Sequence, residues 1–167
     1  MFLRALFAFL VLPGVVGGLL PWLIVAGDPA RGQGWRIGAV VLLLGLMILL
    51  WCVRDFYVSG KGTLAPWDPP KHLVVVGLYR FCRNPMYVGV LTLVAGWSLL
   101  AASRRLAIYT VILGLGFHLR VLFYEEPTLA RLFPDAWQLY RASVNRWCPS
   151  VRAATSSRGR PVLPSRS

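Results

Sequence analysis

The residues best suited to chemistry fall into two short stretches with a few partners. Residues 77–89 read Gly-Leu-Tyr-Arg-Phe-Cys-Arg-Asn-Pro-Met-Tyr-Val-Gly, placing Tyr79, Arg80, Arg83, Asn84, Pro85 and Tyr87 directly before a long apolar run. The residue before a proline avoids the α region, Asn is a favoured helix N-cap, and Pro suits the first helical turn. The pattern therefore predicts a helix that begins at Pro85 with Asn84 as its cap. Free N–H groups at that end, beside Arg80 and Arg83, would favour a carboxylate or phosphate. The second stretch is Tyr124-Glu125-Glu126-Pro127, with His118 before it and Tyr140, Arg141 and Arg146 after it. Gly114, His118, Leu122 and Glu125 recur at helical spacing and so share one helix face. Carboxylates, guanidinium groups and aromatic rings together suit a ligand bearing an ammonium, a carboxylate and a cationic centre.

Taken singly, each feature has a plainer reading. Arg80 and Arg83 read as snorkelling anchors, and His118 as a hydrogen-bonded helix residue. Glu125 and Glu126 read as interfacial charges paired with Arg120 or Arg131, and Arg141 and Arg146 as contacts to lipid phosphate. The functional reading draws its weight from their convergence on one side of a small chain.

The elements that must position these groups are apolar helices. The chain has 167 residues, 57% hydrophobic and only 14% charged, with mean hydropathy +0.62. That is too apolar for an ordinary soluble domain of this length. Residues 3–26 are apolar except for Arg4 and read as a first span; a signal peptide is the alternative. Residues 37–53 are apolar throughout, about 26 Å of helix, close to the hydrocarbon thickness. Residues 54–84 form a long polar connection containing Gly60, Gly62, Pro66, Pro69 and Pro70, which rules out a long helix there. Trp67 and residues 73–76 suggest that this connection lies against the interface. Residues 85–102 and 106–124 give a third and a fourth helix around a tight turn at 103–105. After Pro127 the chain restarts as an amphipathic interfacial helix, broken at Pro134, with Trp147 as an interface anchor. The expected fold is an all-α integral membrane protein of about four transmembrane helices plus a C-terminal amphipathic helix. Residues 1–149 form one domain and 150–167 a basic, disordered tail.

The net charge of +12 fits basic flanks and anionic headgroups better than nucleic acid on so apolar a chain. Three scattered cysteines give neither a disulfide framework nor a metal spacing. With four spans, thirteen basic residues fall on one side and four on the other. The positive-inside rule then puts both termini and the Arg83 corner in the cytoplasm, with the protein in the inner (cytoplasmic) membrane.

The 77–89 stretch, Tyr124-Glu125-Glu126-Pro127-x-Leu129, Phe133 followed by Tyr140, and Arg146-Trp147-Cys148-Pro149 together resemble the isoprenylcysteine carboxyl methyltransferase family. They resemble most its short bacterial members, which overlap with phospholipid methyltransferases. The segment Gly62-Thr63-Leu64-Ala65-Pro66-Trp67-Asp68-Pro69-Pro70 resembles a run common in those members, so the likeness covers about residues 60–149. The resemblance implies a membrane enzyme that takes a methyl group from S-adenosylmethionine and gives it to a lipid or lipidated acceptor entering from the bilayer. It implies a cofactor pocket of Tyr79, Arg83, Asn84, Pro85, Tyr87, His118, Glu125, Glu126 and Tyr140. Arg83, Glu126, Arg141 and Arg146 would serve the reaction, the last two by orienting acceptor. Many members have His where this chain has Asn84, and Asn cannot take a proton at neutral pH. Many have Phe-Gly where this chain has Phe133-Pro134. Displacement at a sulfonium needs alignment in a dry site, and a carboxylate acceptor needs no base. A phospholipid amine would need one, from Glu125, Glu126 or His118. A scaffold that merely binds anionic lipid would need neither the paired glutamates nor the Arg83 corner.

Overall fold

The structure is a computed structural model that describes residues 10–26, 34–60, 73 and 75–150. Arg4, the loop through residues 61–72 and the tail beyond 150 lie outside the described residues. All the described elements are helical. The first, α1, is π-helical over Leu10–Leu19 and α-helical over Leu20–Val25. Helix α2 runs Trp35–Gly60, α3 Pro85–Ala101 and α4 Arg104–Arg120. A π-helical turn, Val121–Glu125, joins α4 to α5, Glu126–Leu132, and α6 is Pro134–Ser143. Among the described residues, two helices are long and apolar enough to cross a membrane, Trp35–Asp55 and Arg104–Leu132; Pro13–Val25 and Pro85–Ala101 are shorter apolar helices.

The antiparallel pair α2–α3 is the centre of the fold, and glycine makes it possible. A Cβ on Gly38 would lie 2.6 Å from Leu100 Cα, one on Gly45 2.7 Å from Leu93 Cα, and one on Gly96 2.5 Å from Leu42 Cα. Backbone therefore lies on backbone along most of the pair. Lipid is as apolar as leucine, so close dispersion contact of this kind holds membrane helices together. Leu49, Val90, Leu93, Val94 and Phe117 form the core beneath it. The opposite faces, among them Val40, Met47, Val111, Leu115 and Phe123, are exposed apolar surface.

Among the described residues, one side-chain hydrogen bond ties α1 to α4. Pro21 has no N–H to offer the Val16 carbonyl along the π-helical ladder, and Tyr109 Oη of α4 donates to that carbonyl at 3.0 Å. An unsatisfied carbonyl in hydrocarbon costs several kcal/mol.

Two boundaries differ from the pattern in the sequence. Helix α2 continues past Val53 to Gly60, because Arg54 and Asp55 are compatible with helix and the first strong breaker is Gly60 itself. Pro127 does not restart the chain. It sits in the first turn of α5, where its missing N–H costs little, and the apolar span runs on to Leu132. The expected break at Pro134 is present, with Phe133 off-helical at φ −136° and ψ 61°. Leu73 and Val75 pack against Trp137, Tyr140 and Val144 under α6.

Candidate functional site

The corner before α3 is built by two chain segments lying side by side. Gly77–Arg80 forms a 3-10 turn. Beyond it, Cys82 and Asn145 make an isolated parallel bridge, with Arg83 N donating to Asn145 O at 2.9 Å. Ser150 N and Oγ both donate to Phe81 O. Cys82 Sγ lies 3.4 Å from the carbonyls of Arg146 and Trp147. Residues 144–150 thus form a strap across the start of α3.

Asn84 stands at the N-cap position, but its side chain makes no cap bond. Its Nδ2 donates instead to Arg146 O at 3.2 Å, drawn off by the strap carbonyl. The helix start is therefore not capped by its own asparagine.

The two glutamates divide the site between them. A π-helical turn ends at Glu125, and turns of this kind shift side-chain register. Glu126 meets Arg146 as a fork, with Nε 2.7 Å from Oε1 and Nη2 2.9 Å from Oε2. Arg83 Nη1 lies 3.0 Å from the same Oε1. Glu125 accepts from Tyr87 Oη, and Arg120 Nε donates to both Glu125 Oε1 (3.1 Å) and Tyr87 Oη (3.2 Å). Tyr87 also stacks on Phe117 at 4.4 Å between ring centroids. The reading of Glu125 as a partner of Arg120 therefore holds in the structure. Arg131 is on neither glutamate; its Nε donates to Pro127 O.

Arg83 is the group with capacity to spare. Its side chain is only 10% exposed, and its guanidinium stands over the Trp137 ring at 5.5 Å. Nε and Nη1 have no hydrogen-bond partner among the described residues; Nη1 faces the Glu126 charge without alignment for a bond. Burial holds Arg83 below the ordinary arginine value, Arg146 and Arg141 push the same way, and Glu126 opposes them. Arg146 is shifted up, first by its bond to Glu126. Arg83 and Arg146 share Glu126 while Arg120 holds Glu125, and the buried Arg83 keeps Nε and Nη1 without an aligned hydrogen bond among the described residues.

The remaining expected residues are distributed as follows. Tyr140 is buried and its Oη donates to Tyr79 O at 2.7 Å, so that hydroxyl braces the 3-10 turn. Burial raises the Tyr79 phenol well above its ordinary value. Arg141 is exposed at the edge of the corner. His118 Nδ1 accepts from Trp147 Nε1 at 3.1 Å, which places the His118 proton on Nε2 and leaves Nδ1 unavailable as a base. Trp147 packs against the core and latches the strap to α4. Trp137 and Asn145 were not legible as site residues, since one sits within an amphipathic pattern and the other acts through its backbone. Among the described residues, no group of three or more His, Cys, Asp or Glu could hold a metal ion.

A helical protein with spans of membrane length, carrying at one end a buried guanidinium over an indole and two neutralised glutamates, has the class of a membrane-embedded binding or transfer protein. The chain belongs to the phospholipid methyltransferase family, whose model matches residues 35–136 and so includes the Arg83 corner, His118, Glu125 and Glu126. It is also similar to the nickel-cobalt-cadmium resistance protein NccN of Alcaligenes xylosoxydans xylosoxydans, with 30% identity over 67% of this chain and 51% of that protein. The cobalt-zinc-cadmium resistance protein CzcN of Cupriavidus metallidurans is 31% identical over 64% of this chain and 48% of that protein. The chain spans about half the length of these curated relatives. No solved structure matches it. The family is one of membrane methyltransferases.

Proposed function

We propose that this protein is an S-adenosylmethionine-dependent methyltransferase that O-methylates a carboxylate on a lipophilic, isoprenylcysteine-like acceptor. The observation that carries the reading is Arg83: buried, stacked on Trp137, ion-paired to Glu126, and left with Nε and Nη1 donors that no acceptor among the described residues aligns with. A guanidinium in that state fits a ligand carboxylate, from the cofactor's amino-acid end or from the acceptor. The cofactor, when bound, supplies a methyl group on a sulfonium, which is a good leaving group. The chain's own work is to hold and orient. Arg83, Asn84, Pro85 and Tyr87 line the corner, with Tyr79 and Tyr140 behind them. Glu126 fixes Arg83 and Arg146, Glu125 fixes Tyr87, and His118 latches the strap through Trp147. Arg146 and the exposed Arg141 then orient the acceptor, while the strap keeps water off.

The shorter helices α1 and α3 are read as spans too. The packing of α3 along α2 and the two-residue turn at Ala102 and Ser103 that joins it to α4 support this reading. The basic flanks favour a cytoplasmic corner in the inner membrane. N-methylation of a phospholipid amine is the second reading, favoured by the family's name. Its base would be Glu125, Glu126 or His118, and the Trp147 bond to His118 Nδ1 favours the glutamates. The test is to incubate the protein in native membranes with methyl-labelled cofactor and treat the lipid-phase label with mild base. Release as methanol supports a methyl ester; base-stable label supports N-methylation. No lipid-phase or protein-bound label would favour a scaffold.

A further inference from the structure

A second buried polar group lies at the other end of the stretch from Gly77 to Arg83. Asp55 closes the candidate span Trp35–Asp55, and its side chain is only 13% exposed. Its Oδ2 is buried with no hydrogen-bond partner among the described residues. The cation beside it, Arg54, is 3.9 Å from Oδ1 and 76% exposed, a contact of little weight. The carboxylate lies against Gly77, where a Cβ would be 2.8 Å from Asp55 Cγ and 3.2 Å from Trp51 Nε1. Gly77 also has φ +52°, so position 77 requires glycine both for its backbone and for the space the carboxylate takes. A buried carboxylate oxygen without a donor is costly and calls for an explanation. The complement of an acceptor in this state is a charged N–H donor.

We infer that Asp55 Oδ2 receives a primary ammonium group carried by a ligand of the methyl-transfer site. The inference rests on the reading of that site given above. Two ligand classes carry such a group: the amino-acid end of the cofactor, and the headgroup amine of an ethanolamine phospholipid. Among the described residues the buried atoms without partners are Asp55 Oδ2 and two donors of Arg83, an acceptor and donors complementary to an ammonium and a carboxylate.

The test uses the full chain in nanodiscs, wild type and Asp55→Asn. The first arm measures affinity for S-adenosylhomocysteine, which has the amino-acid end, and for methylthioadenosine, which lacks it. A charge-assisted bond lost from one ligand alone predicts about a 10- to 100-fold loss for the former and none for the latter. The second arm measures co-purification of phosphatidylethanolamine over phosphatidylcholine, whose quaternary nitrogen has no N–H. Loss of that preference with unchanged nucleoside binding assigns the ammonium to the lipid. Equal loss for both nucleosides, or no change in either arm, overturns the inference. Should Asp55→Asn fail to fold, Asp55→Glu, which keeps the charge but moves it, replaces it under the same criteria. A wild type that binds neither nucleoside sinks the cofactor reading, while the lipid arm still decides the role of Asp55.

Discussion

Arg146 grips Glu126 with a two-pronged contact, Nε at 2.7 Å and Nη2 at 2.9 Å, and this places the strap across the entrance to α3. Lysine cannot reproduce the fork. Arg146→Lys should loosen residues 144–150 and lower stability by about 1–2 kcal/mol. Hydrogen exchange should show the loss at the Arg83 and Ser150 amides, with α2 and α3 unaffected.

Gly45 in the α2–α3 contact and Gly116 on an open face of α4 carry opposite predictions. Gly45→Ala would put a methyl group 2.7 Å from Leu93 Cα and 2.9 Å from Gly89 O. Neither neighbour is a flexible side chain, so overpacking should cost about 1–3 kcal/mol. At Gly116 nothing lies within 4 Å of the new methyl group, and Gly116→Ala should gain about 0.5–1 kcal/mol from helix propensity. Thermal unfolding of both variants in one detergent checks the pair.

Alkaline pH should destabilise the Tyr79–Tyr140 brace. Burial raises both phenols above their ordinary value of 10.0. The folded chain then keeps protons that the unfolded chain releases, so stability falls as pH rises past about 10 and is not reduced below it by these groups. Tyr140→Phe removes the bond to Tyr79 O and should flatten part of that alkaline fall. Unfolding temperatures at pH 8 and pH 10.5 read both effects.

Thiol labelling should separate the cysteines. Cys148 is exposed, Cys52 and Cys82 are buried, and burial raises the Cys82 thiol further from reactivity. A maleimide at neutral pH should modify Cys148 first, seen by mass spectrometry. Trp147→Ala, which unlatches the strap from His118, should expose Cys82.

Much of the fold was legible because apolar length is a strong signal: residues 37–53 and 106–124 fall within the two helices of membrane length. The start of α3 at Pro85 followed from the Asn-Pro pair. The use of Asn84 did not, because its amide serves the Arg146 carbonyl, and a partner 62 residues away leaves no local trace. Continuity through Pro127 was hidden because proline reads as a breaker except in a first turn, and the π-helical turn before it has no composition of its own. The glycines at 38, 45, 89 and 96 were visible as glycines; that they face each other depends on the register of two helices. Arg83, Glu125 and Glu126 were legible as a group. Which glutamate each arginine takes, and that Arg83 keeps donors free, is tertiary geometry.

The most direct test of the account is the affinity of the purified chain in nanodiscs for S-adenosylmethionine, beside Arg83→Ala and Glu126→Gln. The account predicts saturable binding by the wild type. It predicts a loss of about 10-fold or more in Arg83→Ala, the size of one charge-assisted contact, and a smaller loss in Glu126→Gln, which unseats Arg83. Wild-type binding that neither substitution changes, with both variants folded, would contradict the assignment of the Arg83 corner. No binding by a folded wild type would contradict the methyltransferase reading itself.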